Sequence, residues 1–187
     1  MPPDIIPLGK GLESLHRGVK VRNIRLMRDM SNSFTQDLLI YQDQLYLDLA
    51  LASLVLAKMI EKPRFWKFEE WKKIVFGIEE SLAECIQLAK KNEKREVRKI
   101  IGRILTTLSN VDRKDKRYVD SVLEQGRIKV GSTLYAQGLS LGKASELSGA
   151  DKDSISRYAG RTLISDRFGK TYSITERIRN ARGVFKN

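Results

Sequence analysis

The sequence predicts an all-α protein, a helical bundle that carries a C-terminal tri-helical unit. Three observations predict it. Apolar residues recur at intervals of three and four over most of residues 34–137, the period of a helix. Nothing in that range alternates with period two for long enough to make a strand. The last third breaks into short helical pieces separated by a glycine turn and capped by polar residues. The expected organisation is a basic N-terminal arm at 1–33, a bundle at 34–137 and the terminal unit at 138–187.

Residues 1–33 begin rich in proline and turn basic: Lys10, Arg17, Lys20, Arg22, Arg25 and Arg28 stand against Asp4, Glu13 and Asp29. Two readings of this segment are open: an arm that touches phosphate, or a short amphipathic helix docked on the body. Ser31-Asn32-Ser33 reads as a cap or hinge. A long helix is then expected from Phe34 to Glu61, with Leu38, Tyr41, Leu45, Leu49, Ala52, Leu56 and Met59 on its stripe. Pro63 disfavours helix in the residue before it and ends the run. A second helix spans about Lys67 to Lys91, striped by Trp71, Ile74, Ile78, Leu82, Cys85 and Ala89. A third spans about Lys94 to Asn110, burying Val97, Ile101, Ile104 and Leu108 and turning Arg95, Arg98, Lys99 and Arg103 outward. The run VDRKDKR reads as a charged connector. A fourth helical region, Lys116 to Gln137, is weakened by Gly126 and Gly131.

Bulk properties narrow the function. The chain has 187 residues, 41% of them hydrophobic, which is enough for a core. Its formal net charge is +12. That balance points to an anionic partner, a nucleic acid or an acidic membrane surface, although abundant Lys, Arg and Glu also serve stability. One cysteine, Cys85, and one histidine, His16, leave no internal disulfide and no tetrahedral zinc shell. Cys85 lies on an apolar stripe and reads as core rather than as half of a Cys–His pair. No cofactor is expected. MPPDIIPLGKG lacks the pattern of a signal peptide. Leu47 to Ile60, the most apolar stretch, is too short for a bilayer and holds Asp48 and Lys58. A soluble, cytoplasmic protein with no membrane partner is expected.

The richest stretch is GLSLGKASELSGADKDSISRYAGRT, residues 138–162. Ser140 is placed to cap a short helix that contains Lys143 to Ser148. Gly149 stands where that helix must stop on a left-handed residue. Ala150 is a small apolar pin, and Asp151 caps the next helix. Ile155 and Tyr158 then face inward, leaving Lys152, Asp153, Ser154, Ser156 and Arg157 mainly outward.

This pattern resembles the helix-turn-helix of DNA-binding proteins over about 22 residues. Ser145 matches the small residue at the helix crossing, Gly149 the turn glycine, Ala150 and Ile155 the apolar pins. Two positions depart from the family: the turn pin is usually larger than Ala150, and Ser148 stands where an apolar residue is common. The continuation RYAGRTLISD, with TERIRNARGVF after it, is similar to the end of small archaeal helix-turn-helix proteins, in which a Tyr-x-Gly-Lys/Arg-Thr turn leads to a terminal helix. That similarity covers 138–187 and implies an archaeal type of protein.

The resemblance implies that helix 152–161 enters the major groove of double-stranded DNA. Short polar side chains at its start, Asp153, Ser154 and Ser156, reach base edges, and Arg157 forks to guanine or clamps a phosphate. Lys143, Lys152 and Arg161 neutralise phosphates, and Ser140 with the neighbouring backbone N–H groups holds another. Asp153 must accept from cytosine or face away from phosphate. Residues 162–173 fit either a wing-like hairpin or a loop, with Arg167 and Lys170 at its edge. Ile174 to Phe185 reads as a helix striped by Ile174, Ile178, Ala181 and Phe185.

Enzyme signatures are missing. Gly138 to Ala144, GLSLGKA, is one spacer short of a phosphate-binding loop and has Ala where a hydroxyl must hold magnesium. Glu79, Glu80 and Glu84 read as an exposed acidic face. The expectation is a non-enzymatic DNA-binding transcriptional regulator whose bundle forms a homodimer or holds a partner protein. The competing class is an interaction or scaffold protein in which the short helices only pack or bind protein. Exposure of Lys152 and Arg157 separates the two.

Overall fold

The computed structural model describes residues 7–63, 66, 69–114, 122–162 and 164. Among them are eight α-helices and no strand. These are α1 (Leu8–Lys20), α2 (Ile24–Tyr41), α3 (Gln44–Ile60), α4 (Glu69–Lys90), α5 (Lys94–Lys114), α6 (Val122–Ala136), α7 (Leu141–Ser148) and α8 (Lys152–Thr162). The fold is an all-helical bundle, as the periodicity predicts.

Helix α3 is the axis. It is buried on nearly every side, from Leu45 through Ala57 to Ile60, with only Asp48 and Lys58 reaching the edge. A helix apolar all round must be covered all round. Here α2, α5, α6 and α7 cover it, and α1 and α4 close the bundle behind α2 and α5. Each covering helix contributes one stripe: Leu12, Leu15 and Val19 from α1, Met27, Phe34 and Leu38 from α2, Trp71, Ile78, Leu82 and Cys85 from α4, Val97, Ile101, Ile104 and Leu108 from α5. The stripes expected for α4 and α5 are those observed, with Ile74 and Ala89 half-buried at the margin.

Two expectations fail at the N-terminal end. Residues 8–33 form no free arm. Leu12, Leu15, Val19 and Met27 are wholly buried, so this segment takes the docked-helix alternative, and it does so with two helices. The second failure is the single helix from Phe34 to Glu61. The chain reverses at Gln42, a left-handed residue at φ 51°, and Asp43 restarts it by accepting from the Leu45 N–H at 2.9 Å. The stripe keeps its period through this break because both arms of the hairpin face one core. Ser31, expected as a cap or hinge, is interior to α2. Its hydroxyl donates to the Ala50 carbonyl of α3 at 2.9 Å, and Thr35 donates to the Ser31 carbonyl at 2.8 Å. A small residue with its polar atom bonded across the interface lets the two helices lie close.

The connector also differs from expectation. Helix α5 runs on to Lys114, and buried Asp112 accepts from the Val122 N–H at 2.6 Å, which caps α6. Gly126, read as a weak point, is a close approach: a Cβ there would lie 3.2 Å from Leu51 Cδ2 of α3. One apolar core runs from Leu12 to Leu147 and takes in Ala144 and Leu147 of α7. The wing-like segment beyond Ile164 and the helix expected at 174–185 lie outside the described residues.

Candidate nucleic-acid interface

Helices α6, α7 and α8 pack on one another. The caps between them fall where the sequence puts them. Ser140 accepts from the Lys143 N–H at 3.2 Å and starts α7. Gly149 ends it at φ 67°, with its N–H donated to the Ser145 carbonyl. Asp151 accepts from the Ser154 N–H at 2.9 Å and starts α8. That backbone hydrogen bond holds the Asp151 carboxyl below the usual carboxylate value.

The turn is held by two hydroxyls, which make three hydrogen bonds, and one guanidinium. Ser145 Oγ donates to the Ala150 carbonyl at 2.7 Å. Ser148 Oγ donates to the Ala144 carbonyl at 2.7 Å and accepts from the Ala150 N–H at 3.2 Å. Ser148 is therefore no defect at an apolar position, since a fully buried hydroxyl satisfies the turn from inside. Arg127 of α6 lies over the turn and donates to the Ser148 carbonyl at 3.1 Å. A second close crossing, which the motif does not contain, joins it to α6. It falls at Gly131 of α6, where a Cβ would sit 2.6 Å from Ser148 Oγ and 2.7 Å from Ile155 Cδ1. Ser132 beside it donates to the Ile155 carbonyl of α8 at 3.1 Å. Gly131, Ser132 and Arg127 are the residues that sequence reasoning missed. Their signal was the pair of glycines, five residues apart within one helical pattern, which marks close helix approach as readily as weakness.

The rigid mount leaves one face of α8 outward. Lys152, Asp153, Ser156, Arg157, Gly160 and Arg161 are exposed, while Ile155 is wholly buried and Ser154 and Tyr158 are half-buried. Among the described residues Arg157 has no bond to the bundle: its Nε donates to the Asp153 carbonyl one turn back, at 3.4 Å. Ser154, Arg157, Tyr158 and Arg161 line a surface groove against Ile128 of α6. The Arg161 guanidinium stands 6.0 Å from the Tyr158 ring centre. The two predicted residues at the start of α7, Ser140 and Lys143, do not line this groove. Lys143 is paired with Glu146 at 2.9 Å, and Ser140 spends its oxygen on the cap. The run Tyr158 to Thr162, expected as a turn, is the last turn of α8, where Thr162 Oγ1 donates to the Tyr158 carbonyl at 2.6 Å.

The basic face of α5 is half committed to other partners. Arg98 pairs with Asp48 at 3.2 Å and Lys99 with Glu96 at 2.7 Å, leaving Arg95 and Arg103. Cys85 is buried, and burial followed by the Glu84 charge pushes its thiol up to about 12. Among the described residues no group of three or more His, Cys, Asp or Glu side chains could hold a metal ion, and no helix is long and apolar enough to cross a membrane. Comparison with protein-family models, with curated proteins and with solved structures gives no match.

Proposed function

We propose that this protein binds double-stranded DNA by seating α8 in the major groove, and that it acts in the control of transcription. The observation that carries this reading is the outer face of α8. It offers Lys152, Arg157 and Arg161 to solvent, unpaired by the described acids, on a helix fixed to the bundle through Gly131, Ser132 and Ile155. A helix that enters a groove must be rigid, narrow and positive on its outer face. Ser156 and Gly160 keep that face narrow. Asp153 lies in the first turn of α8, where the helix dipole favours an acid, and it is exposed beside Ser156 as a candidate acceptor for cytosine N4.

The test is a fluorescence-anisotropy titration of a mixed-sequence duplex at several salt concentrations, with wild type and Arg157→Ala. Arg157 is exposed, so the variant should keep the wild-type melting temperature. Its affinity should fall by roughly tenfold, the size of one good base or phosphate contact. Equal binding by the two proteins removes α8 from the interface. The absence of salt-dependent binding by wild type leaves the competing protein-interaction reading.

A further inference from the structure

The outer face of α4 carries a charge pattern with a centre. Residues 72–80 read KKIVFGIEE, two lysines before Phe76 and two glutamates after it. They lie inside one continuous helix, Glu69–Lys90. Lys72, Lys73 and Glu80 are exposed, and Glu79 is half-buried. Phe76 is 61% exposed, the most exposed aromatic side chain among the described residues. The surface around its ring is low: Gly77 is exposed with nothing within 4 Å of where a Cβ would lie, and Ala83 is exposed two turns on.

Helix geometry sorts these charges into two flanks. Lys73 and Glu80 are seven residues apart, close to two full turns, so they stand on one flank of Phe76. Lys72 and Glu79, also seven apart, stand on the other. Each flank therefore has a cation on the N-terminal side of the ring and an acid on the C-terminal side. Seven residues span about 10 Å along the axis, too far for either pair to close within its own helix. Among the described residues Lys73, Glu79 and Glu80 have no ion pair. Lys72 pairs with Glu69 at 2.6 Å, but both side chains are well exposed, and water screens such a pair.

We propose that this face joins two copies of the chain, α4 against α4, antiparallel about a two-fold axis at Phe76. Such a contact sets residues before the axis against residues after it, on the same flank. With Phe76 on the axis the two rings meet. Lys73 of each copy then faces Glu80 of the other, and Lys72 faces Glu79, each offset along the helix by about 1.5 Å, one residue's rise. All four lysines face acids. A parallel contact sets lysine on lysine and glutamate on glutamate. A foreign partner needs no such symmetry, whereas charge that inverts about one exposed aromatic residue is what a second copy needs. Helix α4 packs on α1 and α5, and α8 packs on α6 and α7, so the contact uses none of the α8 face and does not depend on its reading.

The test is sedimentation velocity on the full chain over a wide range of protein concentrations, with thermal melting run alongside. A contact through one helix is small, so wild type should dimerise reversibly in roughly the micromolar range. The variants are Lys73→Glu, Glu80→Lys and Phe76→Ala, all at exposed positions. Each charge variant sets two like-charged pairs across the axis and should weaken its own dimer about tenfold or more. Phe76→Ala should weaken it by roughly tenfold. Mixed in equal amounts, Lys73→Glu and Glu80→Lys should dimerise again, because each copy offers the charge that the other lacks. Loss in the separate variants with recovery in the mixture supports the proposal. Wild type that stays monomeric at every concentration overturns it, as does a dimer that all three variants leave unchanged. Loss without recovery in the mixture also overturns it, because like charge is then not what separates the copies. If a charge variant does not fold, Phe76→Ala decides, and an undiminished dimer overturns the proposal.

Discussion

Asp37 sits on the inner side of α2, 2% exposed, with its Oδ2 bonded to nothing among the described residues. Burial pushes its carboxyl from the ordinary 3.8 up to about 6, and its charge in turn helps to raise Tyr46 to about 12, after burial of that ring. The sign follows from linkage. The folded state holds this proton more tightly than the unfolded state, so the stabilisation is complete at low pH and is lost as pH rises from about 3.8 to 6. At neutral pH the buried charge is a burden of up to roughly 3 kcal/mol. Asp37→Asn should therefore raise stability at pH 7 by about 1–2 kcal/mol, since the amide still leaves a polar atom unbonded. It should also flatten the fall in melting temperature between pH 4 and 6. A variant less stable than wild type at pH 7 would show that Oδ2 has a partner the described residues do not contain. Asp37 was not legible in the sequence, where one acid near a helix end reads as a solvated residue.

At the scale of elements, helix period was easy to read and helix identity was not. The stripes of α4 and α5 and the caps at Ser140, Gly149 and Asp151 rest on local chemistry, which one sequence contains. The break at Gln42 does not. A left-handed glutamine carries no signature comparable to glycine, and the stripe continues across it. The glycines of α6 were read by propensity, whereas their reason is tertiary. Gly126 admits Leu51 of α3, and Gly131 admits Ser148 and Ile155. The mount of α8 thus depends on a residue outside the motif. Gly131→Ala forces a methyl group against Ser148 and Ile155, and should destabilise the fold by about 1–3 kcal/mol, the usual range for overpacking. If α8 is the reading element, the same change should weaken DNA binding by more than the fraction unfolded accounts for. Chemical denaturation and anisotropy on one preparation separate the two effects. Full-strength binding by a folded Gly131→Ala protein would show that the pose of α8 does not matter.

Across the whole molecule, the apolar core passes without interruption from α1 to α7, and α6, which belongs to it, holds α8 through Gly131 and Ser132. The +12 net charge is not spread evenly. On α5 it is partly neutralised by Asp48 and Glu96, whereas the outer face of α8 turns Lys152, Arg157 and Arg161 to solvent, unpaired by the described acids. Composition alone points to an anionic partner, but which cations share one surface depends on how distant helices are placed together, which no local pattern reports. Only the outer face of α8 was legible in advance, because a motif of fixed spacing places its residues on one side of a helix.

The most direct measurement is site-directed photocrosslinking to a mixed-sequence duplex. The native Cys85 is buried, so a cysteine-reactive crosslinker will label an introduced surface cysteine selectively. The label is placed at Ser156→Cys on the outer face of α8, and in a second protein at Gln87→Cys on the exposed side of α4. The account predicts strong crosslinks from position 156, lost when unlabelled duplex competes, and little or none from position 87. Equal crosslinking from both positions, or crosslinking from 87 alone, would contradict it.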